Sequence, residues 1–429
     1  MRFKNGRILH LIFFLGILGA CFLSSCSKED VELPDLLQEK TYSSSNLLIN
    51  YCGQEMPGKS VTLIPSGTSD SRSVVLRCQG ATDLDQLSSI GLSGTGAAPG
   101  VVPGSPVIEL PVDLTLNKEG YLFSGSKSTD ICSFDFNGTI TEQELNLNIE
   151  NVRLDNLTFA GSVWKPQQFK QNGLEVTSMP FHLLWEIDPA VGIDVDLTGL
   201  LKLLVTAPIV PTYHDTAYSS LSQLLSSSLQ TIAFLENGNV ILRYYSSVGG
   251  ATQLMTSQGP TLQYFVNSPS QITLYPNPTS LFGLWLVAQS DSSGIPDISF
   301  KLPPYRENSD ASASADDLKE ALFPLVKELV PVFLQMTMQG IPVQVSKSET
   351  GVNAYLDTKT LLTIISQVAN VALQHPEILE KLLKFLPNDA ETADTLQLIQ
   401  ELLPQIETIL SNTTRLELGL SLTPYSTTE

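Results

Sequence analysis

Charge is scarce in this chain, and positive charge is scarcest. Of 429 residues only 16% are charged, with 24 Lys and Arg against 44 Asp and Glu. The resulting net charge of −20 repels phosphate backbones and excludes a general nucleic-acid binder. Four histidines and five cysteines leave little material for metal centres or a disulfide framework. No G-x-S-x-G elbow and no H-E-x-x-H pair occurs, which removes two common hydrolase signatures, and no cofactor is expected. Low charge does not mean disorder here, because hydrophobic residues reach 42% and supply a core.

The first 25 residues read as a secretory signal. Arg2, Lys4 and Arg7 form a basic start, an apolar run extends from Ile8 to Leu23, and small residues follow. The run is shorter than the ~20 residues needed to span a bilayer, and the polar stretch Ser24 to Asp30 follows at once. The ending Leu23-Ser24-Ser25-Cys26 resembles the bacterial lipobox, which implies that Cys26 becomes the acylated first residue and anchors the protein to a membrane. Ser27-Lys28-Glu29-Asp30 is similar to the short signal that sends Bacteroidetes-type lipoproteins to the outer face of the outer membrane. Residues 26–45 are then expected to form a lipidated tether.

From residue 46 to about 190 the hydrophobic period is two. Ile108, Leu110, Val112, Leu114 and Leu116 alternate with Glu109, Pro111, Asp113 and Thr115, the pattern of a strand with one buried face. Cys132, Phe134 and Phe136 lead into Asn137-Gly138, with Leu145, Leu147 and Ile149 beyond, and the Asn-Gly pair predicts a hairpin turn. Together with Tyr121–Ser126, Leu157–Trp164 and Phe181–Ile187 this makes eight or nine strands, enough to close an antiparallel barrel of lipocalin or calycin size. Gly91 to Pro106, rich in glycine and proline, predicts a long exposed loop. Asn46–Cys52, Lys59–Pro65 and Ser73–Gln79 read as three consecutive antiparallel strands. That order places Cys52 and Cys78 ~10 Å apart, too far to bridge, so Cys52, Cys78 and Cys132 are expected to be free, mostly buried thiols.

Residues 191–429 read as a mixed helix-and-hairpin, α+β domain, so the expected fold class is mainly β with an α+β C-terminal part. Leu221, Leu224, Leu225 and Leu229 predict a helix over Tyr218–Gln230. A hairpin around Asn237-Gly238 and strands at Leu262–Val266 and Ile272–Tyr275 follow. A helix led by Ser314 and Asp317 runs to Met336, with kinks at Pro324 and Pro331, and further helices cover 358–373, 376–386 and 389–411. Leu416, Leu418, Leu420 and Leu422 close the chain as a strand. The leucine stripes are expected to be ordinary core faces.

Two motifs invite chemistry. Gly53 to Ser60 matches the phosphate-loop pattern G-x-x-x-x-G-K-[ST], but that chemistry needs a helix starting at Lys59. Val61-Thr62-Leu63-Ile64-Pro65 is a strand sequence instead, so a hairpin turn is predicted. Ser133 to Glu144 follows a calcium-loop pattern, with Asp135, Asn137 and Glu144 at ligand positions. Ser133 replaces the first carboxylate and the flanks read as strands, so here too a hairpin is predicted and no metal is assigned. His182, His214 and His375 have no adjacent ligand, and the acid pairs Asp83/Asp85 and Asp194/Asp196 read as solvated. Asp215-Thr216-Ala217 and Asp394-Thr395-Leu396 are similar to the O-glycosylation acceptor of Bacteroidetes-type exported proteins, pointing to Thr216 and Thr395.

The stretch Thr231 to Val240, the later Tyr264-Phe265-Val266 and the turn Pro276-Asn277-Pro278 resemble a family of Bacteroidetes-type outer-membrane lipoproteins that carry a domain of unknown function. The resemblance implies structure and supplies no catalytic residue, with a calycin-like barrel as analogy only. Function is therefore read first as a cell-surface, lipid-anchored, non-enzymatic protein that binds a lipid, glycan or protein ligand. A structural envelope component acting through protein contacts is the second reading, and a polysaccharide hydrolase using paired carboxylates the third.

Overall fold

The structure, a computed structural model, describes residues 32–36, 38–65, 72–85, 93–96, 98–173, 175–192, 195–207, 210–211, 218–248, 251–280, 329–374 and 401–425. It is mostly β, with a curled antiparallel half-barrel sheet and few helices. Among these residues no helix is long and apolar enough to cross a membrane.

Two sheets form the N-terminal part. One has the order β1 (Lys40–Ser43), β4 (Lys59–Pro65), β5 (Ser73–Gly80) and β8 (Val107–Asp113). The other runs β3 (Gln54–Glu55), β2 (Leu47–Tyr51), β12 (Leu145–Leu154), β11 (Cys132–Ile140), β10 (Gly120–Ser128) and β9 (Thr115–Asn117). Period-two sequence produces the facing surfaces: in β8, Ile108, Leu110 and Val112 are buried while Val107, Glu109, Pro111 and Asp113 are exposed. Tyr42, Tyr51, Ile49, Leu63, Leu76, Leu110, Leu145, Leu147 and Ile149 are fully buried and fill the space between the sheets.

The large sheet takes ten strands, antiparallel throughout. Its order is β21 (Ala251–Thr256), β20 (Val240–Val248), β19 (Leu229–Phe234), β13 (Val163–Pro166), β26 (Thr413–Pro424), β25 (Val352–Leu356), β24 (Ile341–Lys347), β23 (Gln271–Pro276) and β22 (Leu262–Ser268). β16 (Phe181–Ile187) pairs with β26 beside β13. Three short ribbons complete the pairing: β6 (Thr82–Asp83) with β7 (Thr95–Gly96), β14 (Lys170–Asn172) with β15 (Glu175–Ser178), and β17 (Val210–Pro211) with β18 (Tyr218–Ser219). Because β13 and β16 join strands from residues 229–424, pairing runs across position 190, and one hydrophobic core extends from Tyr42 to Leu422.

Several local expectations are corrected. Asn137-Gly138 lies inside β11, and the hairpin turn falls at Thr141–Glu144, where the Thr141 hydroxyl accepts from the backbone of Gln143 and Glu144. Gly138 is needed for close approach: an added Cβ would sit 2.0 Å from the Asn146 carbonyl oxygen and 2.5 Å from the Phe123 ring. β2 does not neighbour β4. A left-handed turn at Cys52 (φ 50) and Gly53 (φ 82) sends the chain into β3, and β2 pairs parallel with β12. Residues 98–103 are buried, not an exposed loop, because Gly80 and Gly100 leave room for backbone contacts that a Cβ would block. Strand structure within 157–164 is confined to β13, and the helix predicted over 218–230 is trimmed to Leu221–Ser228, capped by Ser220 and Gln223. Part of the expected tether is folded: β1 pairs with β4, Pro34 is buried, and the Glu142 amide donates to the Glu32 carbonyl at 2.7 Å.

Candidate functional site

The clearest concentration of chemical groups lies on one face of the large sheet, where the parity opposite the leucines of β26 carries Arg415, Glu417, Gly419 and Ser421. Register places His182 of β16 and Tyr355 of β25 on either side of Gly419, Leu184 beside Glu417, and Asn353 beside Ser421. A side chain at Gly419 would collide with Tyr355, with a Cβ 2.4 Å from its Cα, so the glycine lets the Tyr355 and His182 rings meet at 4.8 Å between centroids. The reverse face carries Trp185 and Ile187, which pack with Leu197, Leu402 and Ile409 from the helical segments.

Glu417 is the hub. Its side chain is only 9% exposed, and its two oxygens bond the His182 Nε2 at 2.7 Å and the Arg415 Nε at 2.8 Å. Burial pushes the carboxyl up, but the hydrogen bonds and charges of His182 and Arg415 outweigh it, holding Glu417 below the usual range. The same bond holds the Arg415 guanidinium above its ordinary value. Around this pair the Ser421 hydroxyl donates to Asn353 at 3.0 Å, and Gln344 donates to Asp357 at 3.3 Å. Burial of Asp357 is outweighed by bonds from Thr360 and Gln344 and by Lys359, which lower its carboxyl. The result is a half-buried aromatic ring framed by fixed amides, carboxylates, a hydroxyl and a guanidinium.

A second polar surface covers the solvent side of the six-stranded sheet. Asn50 donates to Asn148 at 3.0 Å, Asn148 to Asn137 at 3.0 Å, and Asn137 to Glu150 at 3.2 Å, a ladder across three strands. Asp135 accepts from Ser126 and Asn151, which lowers its carboxyl. Thus Asp135 and Asn137 share a strand face, while Glu144 bonds Asn146 beyond the turn; the three do not wrap a calcium loop. Among the described residues no group of three or more His, Cys, Asp or Glu converges for a metal ion.

The phosphate-loop match resolves into a turn followed by β4. Lys59 is 4% exposed, points into the core and donates to the Pro99 carbonyl at 2.8 Å, so it has no phosphate to meet. Burial alone pulls its ammonium down to about 7. Asp83 and Asp85 hold backbone amides at Asp85 and Gly94, and Asp196 caps the helix Leu197–Thr206. Cys78 and Cys132 are buried, Cys52 is half-buried, and all three are free. Cys26, Asp194, His214, Thr216, His375 and Thr395 lie outside the described residues.

In the sequence His182 stands alone, with no adjacent ligand, and nothing there points to its partners Glu417, Arg415 and Tyr355. The alternation of Arg415, Glu417, Gly419 and Ser421 against leucines marks a polar strand face, but nothing local pairs that face with a histidine 235 residues away. Comparison with protein-family models, curated proteins and solved structures found no match.

Proposed function

We propose that this is a lipid-anchored envelope protein, acylated at Cys26 and exposed on the outer membrane surface, that binds a glycan without catalysis on the Tyr355 face. The observation that carries the reading is the framed ring. An aromatic face receives the C–H side of a sugar, while Asn353, Gln344, Asp357 and Arg415 offer directional donors and acceptors to its hydroxyls. A lipid ligand is less well supported, since the interior between the two N-terminal sheets is filled by tyrosine and aliphatic side chains. A lipocalin-like barrel is retained as an analogy of shape only, and the parallel β2–β12 pair departs from an up-and-down barrel. Non-enzymatic action fits Asp83 and Asp85, which hold backbone amides in a turn, and Asp196, which caps a helix.

The test is binding of the purified protein to a panel of neutral and acidic oligosaccharides, compared with Tyr355→Ala. Retention by the wild type and loss in a folded variant supports the reading; equal retention by both sinks it. A structural role through protein contacts is the second reading, favoured by Tyr245 and Leu254, paired across the outermost hairpin of the large sheet and 43% and 44% exposed.

A further inference from the structure

Of the strands that end the three main sheets, β21 alone lacks protection among the described residues. β1 carries Lys40, β8 carries Glu109, Pro111 and Asp113, and β3 and β9 are only two and three residues long. β22 leans on the turn between β19 and β20, where the Tyr264 amide donates to the Gly238 carbonyl at 2.7 Å. β21 has no charge, no proline and no break in its register with β20. Just past its end the Ser257 amide donates to the Leu242 carbonyl at 2.9 Å, so the odd-numbered residues turn their main-chain groups toward β20. Thr252, Leu254 and Thr256 therefore turn theirs outward, and no other described strand pairs with that edge.

We infer that this edge pairs antiparallel with the same strand of a second copy, about a two-fold axis at Leu254, so that two large sheets join into one. The outward groups of Thr252, Leu254 and Thr256 then meet those of Thr256, Leu254 and Thr252 in the copy and form about six main-chain hydrogen bonds. The side chains fit a second copy in particular. Tyr245 and Leu254 lie opposite each other in the hairpin, 43% and 44% exposed, and the axis sets Leu254 against the Leu254 of the copy. One apolar row, tyrosine, leucine, leucine, tyrosine, crosses the junction and leaves water. Charge points the same way. A net charge of −20 opposes most contacts between copies, yet from Tyr244 to Ser290 the chain has no Asp, Glu, Lys or Arg. The one charge of the hairpin, Arg243, sits on β20 opposite Thr256, a strand back from the junction. This pairing uses neither the glycan face nor the lipid anchor.

Sedimentation velocity of the purified protein over about 1–100 µM should show a rise toward twice the monomer mass. Leu254→Lys should abolish that rise, because the axis sets two ammonium groups against each other; circular dichroism checks that the variant is folded. A second measurement leaves Leu254 intact and decides the matter if that variant misfolds. In a Cys52→Ser background, Gln253→Cys lies diagonally across the axis from its copy, about 8 Å away and within reach of a short bismaleimide. Arg153→Cys, exposed beside the Glu236 turn, lies out of reach, and the Cys52→Ser parent serves as the blank. Covalent dimer at 253 and none at 153 is the expected result. A monomer at every concentration overturns the pairing, including one whose amides at 252, 254 and 256 resist hydrogen exchange because another part of the chain covers them. So does a dimer that a folded Leu254→Lys leaves unchanged, or one that fails to cross-link at 253.

Discussion

Lys59 provides the sharpest quantitative test of the core. Its ammonium group is buried and donates to the Pro99 carbonyl, and burial brings its pKa from 10.5 to about 7. In the unfolded chain the group keeps its ordinary value, so above pH ~7 the unfolded state holds a proton the folded state lacks, and stability rises with pH by ~1.4 kcal/mol per unit toward pH ~10. Holding the amine in the core at pH ~7 therefore costs about 4 kcal/mol relative to a group without that shift. Replacing it by methionine removes this cost but leaves the Pro99 carbonyl unpaired, a loss of roughly 1–3 kcal/mol. Lys59→Met is expected to be more stable than wild type by about 1–3 kcal/mol near neutral pH. Burial also raises the Cys78 thiol, to about 12, and this opposes the rise in alkali; the difference between wild type and variant cancels it. Urea unfolding of both proteins from pH ~6 to pH ~9 should show the advantage of the variant shrinking by about 2.5 kcal/mol. An advantage constant across that range, or a variant weaker by several kcal/mol throughout, would refute the reasoning.

Three further outcomes follow from single contacts. Gly138→Val should cost at least about 3 kcal/mol or prevent folding, because the added atoms meet the Asn146 carbonyl and the Phe123 ring; a thermal midpoint near that of wild type would contradict the packing. Glu417→Gln should lose about 1–2 kcal/mol by weakening the bonds to His182 and Arg415. Since the Glu417 carboxyl is held low, its contribution is present above the ordinary carboxylate range and disappears as pH falls through the folded value, so the two proteins should converge in acid. Tyr51→Phe removes the hydroxyl that bonds Asn237 across the seam between the N-terminal sheets and the large sheet, and unfolding should shift by about 1 kcal/mol with the fold retained.

Some elements are set by local pattern alone. The alternation in β8 and in β26 follows from one rule, that successive strand residues face opposite sides, and the Asn237-Gly238 turn needs only the left-handed glycine (φ 79) that the pair supplies. The misreadings share a different cause. Asn137-Gly138 carries the same letters, yet there the glycine makes room for a ring from a neighbouring strand, a fact about Phe123 that no window around residue 138 contains. Likewise β2 joins β12, about a hundred residues away, rather than the strand that follows it, and the buried 98–103 segment depends on glycines in β5 and in the loop itself. The candidate site belongs to this second kind. His182, Tyr355 and Glu417 lie on three strands, and only the register around Gly419 brings them together.

The proposed function is tested most directly by amide hydrogen exchange of the protein with and without an oligosaccharide retained in the binding panel. The account predicts added protection in Asn353–Asp357 of β25 and its end, in Arg415–Ser421 of β26 and around His182, with β12 unchanged. Protection confined to the asparagine ladder of β11 and β12, or no change on the Tyr355 face, would contradict it.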